Sequence, residues 1–158
     1  MPKGFVGRRI AYAVFYDGIF YGYTVAGSAT LHLPGRNEYF GIDKSKLNQI
    51  VNNTFFHIEK ANSKYPIRNF VPYIISEWRK HVVEDWEIKY KDKVIGFETL
   101  VELPRNGDCY KRDGWVELGQ TQGFTCKRTA GKGTDSWTGK RIWDTENLRT
   151  KLVLAHKL

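Results

Sequence analysis

The chain has 158 residues, 41% of them hydrophobic and 15% aromatic, enough apolar surface for one packed core and too short for a large multidomain machine. It carries 25 Lys+Arg against 17 Asp+Glu, a net charge of +8 that favours a polyanionic partner. No run of about 18 apolar residues exists. Met1-Pro2-Lys3-Gly4-Phe5 lacks the apolar segment of a secretory signal, so the expectation is one cytoplasmic domain over residues 1–158 with no membrane partner.

In chain order, residues 10–16 and 19–26 are β-rich and are separated by Asp17-Gly18, a pair that tolerates the positive φ angles of a tight primed turn. They predict a hairpin. A looser stretch at 33–38 is followed by a short helical turn at 44–47 and a third strand over 49–58. The clearest helix spans 69–90, with Asn69 at the N-cap position and Pro72 in the first turn. Its apolar stripe is Val71, Ile74, Ile75, Trp78, Val82 and Trp86, spaced three and four apart. Lys91-Asp92-Lys93 makes a turn, and 94–101 is β-branched enough for a buried strand, which completes a strand-helix-strand crossover. A turn-rich loop at 102–108 leads to a short amphipathic stretch at 109–114 and a strand at 115–119. A basic, glycine-containing loop at 119–141 precedes a final strand over 151–154.

Several residues invite chemistry and are better read as structure. Cys109 and Cys126 form no CxxC pair and are expected to be free thiols; Lys111 and Arg112 could lower the Cys109 pKa, but a buried inert thiol is preferred. His32, His57, His81 and His156 show no metal-ligand spacing. Gly131-Lys132-Gly133-Thr134 lacks the first glycine and the Lys-Ser/Thr adjacency of a phosphate loop. Asn52-Asn53-Thr54 matches a glycosylation sequon but reads as a polar strand segment in a chain without an export signal.

The order of hairpin, strand, long helix, strand, short helix and closing strands resembles the central part of the GNAT acyltransferase fold. That implies an α/β protein with a mixed, mostly antiparallel sheet, one long central helix and a short second helix, abbreviated at the N-terminus. Within it, Asn52-Asn53-Thr54-Phe55-Phe56, Trp86, Glu98-Thr99-Leu100-Val101-Glu102, Gly107-Asp108-Cys109-Tyr110-Lys111-Arg112-Asp113-Gly114-Trp115 and Gly119-Gln120-Thr121-Gln122-Gly123 resemble the Mom-like and DruA-like branch, over roughly residues 50 to 125.

This resemblance implies a phage- or defence-associated transferase that modifies adenine N6, with DNA as partner and iron as an associated metal. Glu102 would be the base or metal-site acid and Tyr110 the proton donor or positioner, both facing one cleft. Asp108 is either a further acid there or a cap of the short helix. Lys111, Arg112, Lys127, Arg128, Lys132, Lys140 and Arg141 would hold phosphates, and Trp137 would stack on an exposed base. Where a CoA-binding GNAT has a glycine-rich pyrophosphate loop, residues 63–69 contain no glycine, which argues against acetyl-CoA or another acyl-CoA as cofactor. Lys64, Arg68 and Asn69 retain anion-binding capacity. Two alternatives stand beside this reading: a non-catalytic DNA- or partner-binding module on the same fold, and a small-molecule acyl-CoA acyltransferase. Whether a homodimer completes the site stays open.

Overall fold

The computed structural model describes residues 7–126, 143–144 and 146–158. Strands β1 (Arg9–Tyr16) and β2 (Ile19–Ser28) form the expected hairpin. Asp17 and Gly18 turn it with φ angles of 49° and 74°, the left-handed backbone that a primed turn requires. The looser stretch that follows is partly helical: α1 (Arg36–Phe40) and a 3-10 turn (Lys44–Gln49) fold it back toward the sheet. Asp43 starts that turn by accepting the Ser45 N–H at 2.8 Å, and hydrogen bonds from Ser45 hold its carboxyl below the usual carboxylate range.

The remaining elements are β3 (Ile50–Ile58), α2 (Phe70–Tyr90), β4 (Gly96–Glu102), α3 (Asp108–Arg112), β5 (Val116–Gln120), the short pair β6 (Thr125–Cys126) and β7 (Trp143–Asp144), and β8 (Lys151–Lys157). The main sheet has the order β1-β2-β3-β4-β8-β5. Among its ladders only β3–β4 is parallel, as a strand-helix-strand crossover demands. This is the expected mixed, mostly antiparallel sheet with one long helix and a short one, the last strand inserted between β4 and β5. No helix among the described residues is long and apolar enough to cross a membrane.

The α2 stripe does what its periodicity requires. Ile75, Trp78, Val82 and Trp86 are buried against Val51, Phe97, Val101, Leu152 and Leu154, while Phe70 and Ile74 close a smaller cluster with Val14 and Tyr21 under the hairpin. Two capping expectations differ from the structure. Asn69 begins α2 in the left-handed region (φ 57°) and makes no side-chain cap. α3 is capped at Gly107, with Asp108 as its first residue rather than its cap, because the left-handed φ of 70° there suits glycine. The second face of the sheet is covered at β4 by the 29–49 segment. Gly96 permits this, since a Cβ at that position would lie 2.2 Å from the Phe40 ring.

Candidate functional site at the parting of two parallel strands

β3 and β4 pair only from Ile50↔Gly96 to Asn53↔Thr99. Beyond that point β3 continues with β2 and β4 with β8, so the two parallel strands diverge toward their C-terminal ends. Side chains bridge the fork. The Thr99 hydroxyl donates to the Asn53 carbonyl oxygen at 2.9 Å. Tyr110, projecting from α3, donates its phenolic O–H to Asn53 Oδ1 at 2.9 Å, and Asn53 Nδ2 donates to Thr24 Oγ1 at 2.9 Å. A continuous polar chain thus runs from α3 through β3 into β2 inside an otherwise apolar core.

Packing fixes Tyr110 firmly. Its ring meets Trp115 edge-on at 5.0 Å and Phe56 at 6.1 Å. Gly107 lets α3 approach β8, because a Cβ there would sit 2.6 Å from Leu154 Cδ1. On the far side Arg79 of α2 grips Asp113 through two bonds of 2.6 and 2.8 Å, and the Trp115 indole N–H donates to the same carboxylate at 2.9 Å. Burial pushes the Tyr110 phenol well above its ordinary value, partly countered by a hydrogen bond with Thr99. At neutral pH it is therefore a protonated donor.

The start of α2 lies beside α3: Arg112 Nη1 donates to Asn69 Oδ1 at 3.4 Å. Arg68 directly precedes Asn69, and both Arg68 and Lys64 are exposed. Arg112 thus places a cationic group near the positive dipole end of a long helix, with Arg68 next to Asn69 in the chain.

The other expected site residues do not gather here. Glu102 does not share a hollow with Tyr110. Strand alternation sends Phe97 and Val101 into the α2 side and Glu98 and Glu102 to the opposite face, where the exposed Glu102 accepts from Arg149 Nε at 2.7 Å. Asp108 is exposed and bonded locally: its N–H donates to Asn106 Oδ1 at 3.1 Å and its carboxylate accepts from Asn106 Nδ2 at 2.8 Å. Lys111 pairs with Glu117 at 2.7 Å. Lys127, Arg128, Lys132, Trp137, Lys140 and Arg141 lie outside the described residues. The Cys109 thiol is pushed up by burial, which outweighs the small lowering from Arg112.

Iron does not fit. Among the described residues no group of three or more His, Cys, Asp or Glu side chains is arranged to hold a metal, and exposed His57 has only Glu59 beside it at 3.0 Å.

A second buried polar cluster, on the opposite face, was not anticipated. Fully buried Arg36 donates through Nη1 to Glu98 Oε2 at 2.6 Å and to the Thr30 carbonyl at 2.7 Å. Glu98 Oε1 also accepts the Thr30 N–H at 2.6 Å and Asn52 Nδ2 at 2.9 Å. Two sequence signals pointed to both clusters: consecutive asparagines in a strand, a position they disfavour, and one carboxylate inside the apolar run 94–101. Nothing local marked Arg36.

No protein-family model matches this sequence, and no curated protein matches it. Solved structures do. One, described as a phosphinothricin N-acetyltransferase, aligns at TM-score 0.47 and 13% identity over 94% of this chain and 70% of its own. The ribosomal-protein-alanine N-acetyltransferase from Brucella melitensis aligns at TM-score 0.47 and 12% identity over 94% and 68%. FeeM, an N-acyl amino acid synthase from uncultured soil microbes, aligns at TM-score 0.45 and 10% identity over 94% and 72%. At such identities the likeness is one of folding pattern, and the chemistry of the fork rests on its own geometry.

Proposed function

We propose that this protein is a small-molecule acyltransferase that moves an acyl group from a thioester to an amine, with Tyr110 as proton donor. The observation that carries the reading is the neutral, buried Tyr110 phenol held by Asn53 at the point where β3 and β4 part. In such a transfer the amine nitrogen forms a bond to the acyl carbon as the carbon–sulfur bond breaks. The departing thiolate takes the phenol's proton, and the proton lost from the amine restores the phenol through solvent. Rotation about the phenol C–O bond redirects that proton from Asn53 to a sulfur placed in the fork. Arg68, Arg112 and the first turn of α2 would receive a phosphate on the donor's carrier. The glycine-free stretch at 63–69 disfavours a close backbone cradle for a pyrophosphate, so a carrier with a single phosphate group suits it better than CoA.

Modification of adenine in DNA, by a protein resembling Mom, draws on Glu102 and Tyr110 meeting in one hollow; their placement on opposite faces removes that support. Incubation with acyl-phosphopantetheine and acyl-CoA thioesters and a panel of amines, read by thiol release, tests the proposal. Tyr110→Phe should lower transfer about 100-fold. Absence of thiol release together with a new modified adenine in DNA from expressing cells would replace this reading with the DNA one.

A further inference from the structure

Away from the fork, β1 and the first half of α2 enclose an open groove of about 260 Å³. Its volume equals that of roughly eight water molecules at about 30 Å³ each, room for a small organic molecule. Aromatic rings dominate the walls: Tyr12 and Tyr16 from β1, Tyr73 and Trp78 from α2. Glu77 and His81 stand on the α2 side, and among the described residues no Lys or Arg lines the groove. In a chain of net charge +8, a concavity lined by aromatic side chains and a carboxylate stands out from the rest of the surface.

The charged groups around it are few. Glu77 Oε1 accepts from Lys80 Nζ at 2.7 Å, and Glu77 Oε2 stands 3.9 Å from His81 Nε2. Lys80 and His81 are both exposed, so neither pair is held by burial, and each is the weak kind that an incoming cation can displace. Tyr12, in the groove wall, donates its phenolic O–H to Asp85 Oδ2 at 2.8 Å.

We infer that this groove is a binding site for a small organic ammonium ion, held among the aromatic side chains of Tyr12, Tyr16, Tyr73 and Trp78 and neutralised by Glu77. Ring quadrupoles attract a poorly hydrated cation most strongly when it carries alkyl groups, because less water must be removed. A phosphate or carboxylate ligand meets the Glu77 carboxylate in the wall of the groove. The inference stands apart from acyl transfer, since the groove binds an ammonium whether or not Tyr110 supports transfer.

Titration of the ¹⁵N-labelled protein with choline, and with its uncharged isostere 3,3-dimethylbutan-1-ol at matched ionic strength, isolates the positive charge. Choline is expected to give saturable shifts at the amides of Glu77, Trp78 and His81 and at the Trp78 indole. The neutral isostere should bind about 10-fold more weakly, the effect of roughly 1.4 kcal/mol of cation–π and ionic attraction. Glu77→Gln and Tyr73→Ala, both at solvent-accessible helix positions, should each weaken choline severalfold while leaving the spectrum of the folded protein otherwise intact. Equal binding of the two probes, shifts confined to other surfaces, or no saturable shift at all would overturn the assignment.

Discussion

Asn52 and Asn53 are neighbours on β3, and strand alternation sends them to opposite faces of the sheet, each into a buried polar cluster. Asn52 joins an ion pair, Arg36–Glu98, whose polar atoms are further bonded by Thr30, Leu31 and Asn37. Asn53 joins a neutral chain, Tyr110 to Thr24, that ends in a phenol with a movable proton. A buried pair of full charges resists rearrangement, because any displaced charge is left in a poor solvent, so the Asn52 side acts as a clamp for the 29–43 segment. A neutral chain can rotate its hydroxyls at little electrostatic cost. The difference puts a rigid ion pair on one face and, on the proposed reading, the proton donor on the other.

The clamp side should show the larger stability effect. Arg36→Met leaves Glu98 buried without its cation and is expected to cost about 3–5 kcal/mol, seen as a lowered urea midpoint with an unchanged slope. Adding Glu98→Gln to Arg36→Met should recover a large part of that loss. A single variant as stable as the parent would mean that the ion pair is not the clamp.

On the other face, Asn53→Ala strands the Tyr110 O–H and the Thr24 hydroxyl inside the core, and about 1–3 kcal/mol is the expected cost. Unlike the Arg36 variant, it should also lower acyl transfer beyond its effect on the folded fraction, measured at temperatures where both proteins remain folded.

The sequence made one of these faces legible and hid the other. Periodicity and turn chemistry located the hairpin, α2, β4 and α3, because each is dictated by residues within a few positions of one another. Tyr110 was singled out by its motif, and the structure buries it against Asn53. Glu102 was joined to it wrongly because proximity along the chain says nothing about parity: Val101 enters the core with Tyr110, and the next residue faces away. The Arg36–Glu98 contact spans two elements with no periodic or motif signal between them, and a buried arginine in a short helix resembles any surface cation. Likewise the Tyr12–Asp85 bond and the groove beside it depend on how α2 lies against β1, which only the assembled sheet determines.

The neutral chain also has an alkaline signature. The folded pKa of Tyr110 lies above the value of about 10 that the phenol has in the unfolded chain. Its contribution to stability is therefore complete below pH 10 and declines as pH rises toward the folded value. While Tyr110 stays protonated in the folded state, that decline is about 1.4 kcal/mol per pH unit. Urea midpoints at pH 9 and pH 11 should diverge more for the parent than for Tyr110→Phe. An equal drop in both proteins would show that the phenol ionises freely within the folded state.

The smallest expected effect falls on Glu102. Its pair with Arg149 is exposed at both ends, so loss of the charge in Glu102→Gln should change stability by less than about 1 kcal/mol, and the change should shrink further in high salt. Since its side chain leaves the sheet on the clamp face, transfer should also stay within about twofold of the parent, a rate change worth less than about 0.5 kcal/mol. Tyr110→Phe measured in the same assay supplies the contrast. If the two variants lost activity alike, the carboxylate would have to act at the fork, and the separation of a rigid face from a reactive one would fail. Parent-like transfer by Glu102→Gln beside a crippled Tyr110→Phe would instead tie the chemistry to the face on which Asn53, Thr24 and Tyr110 meet.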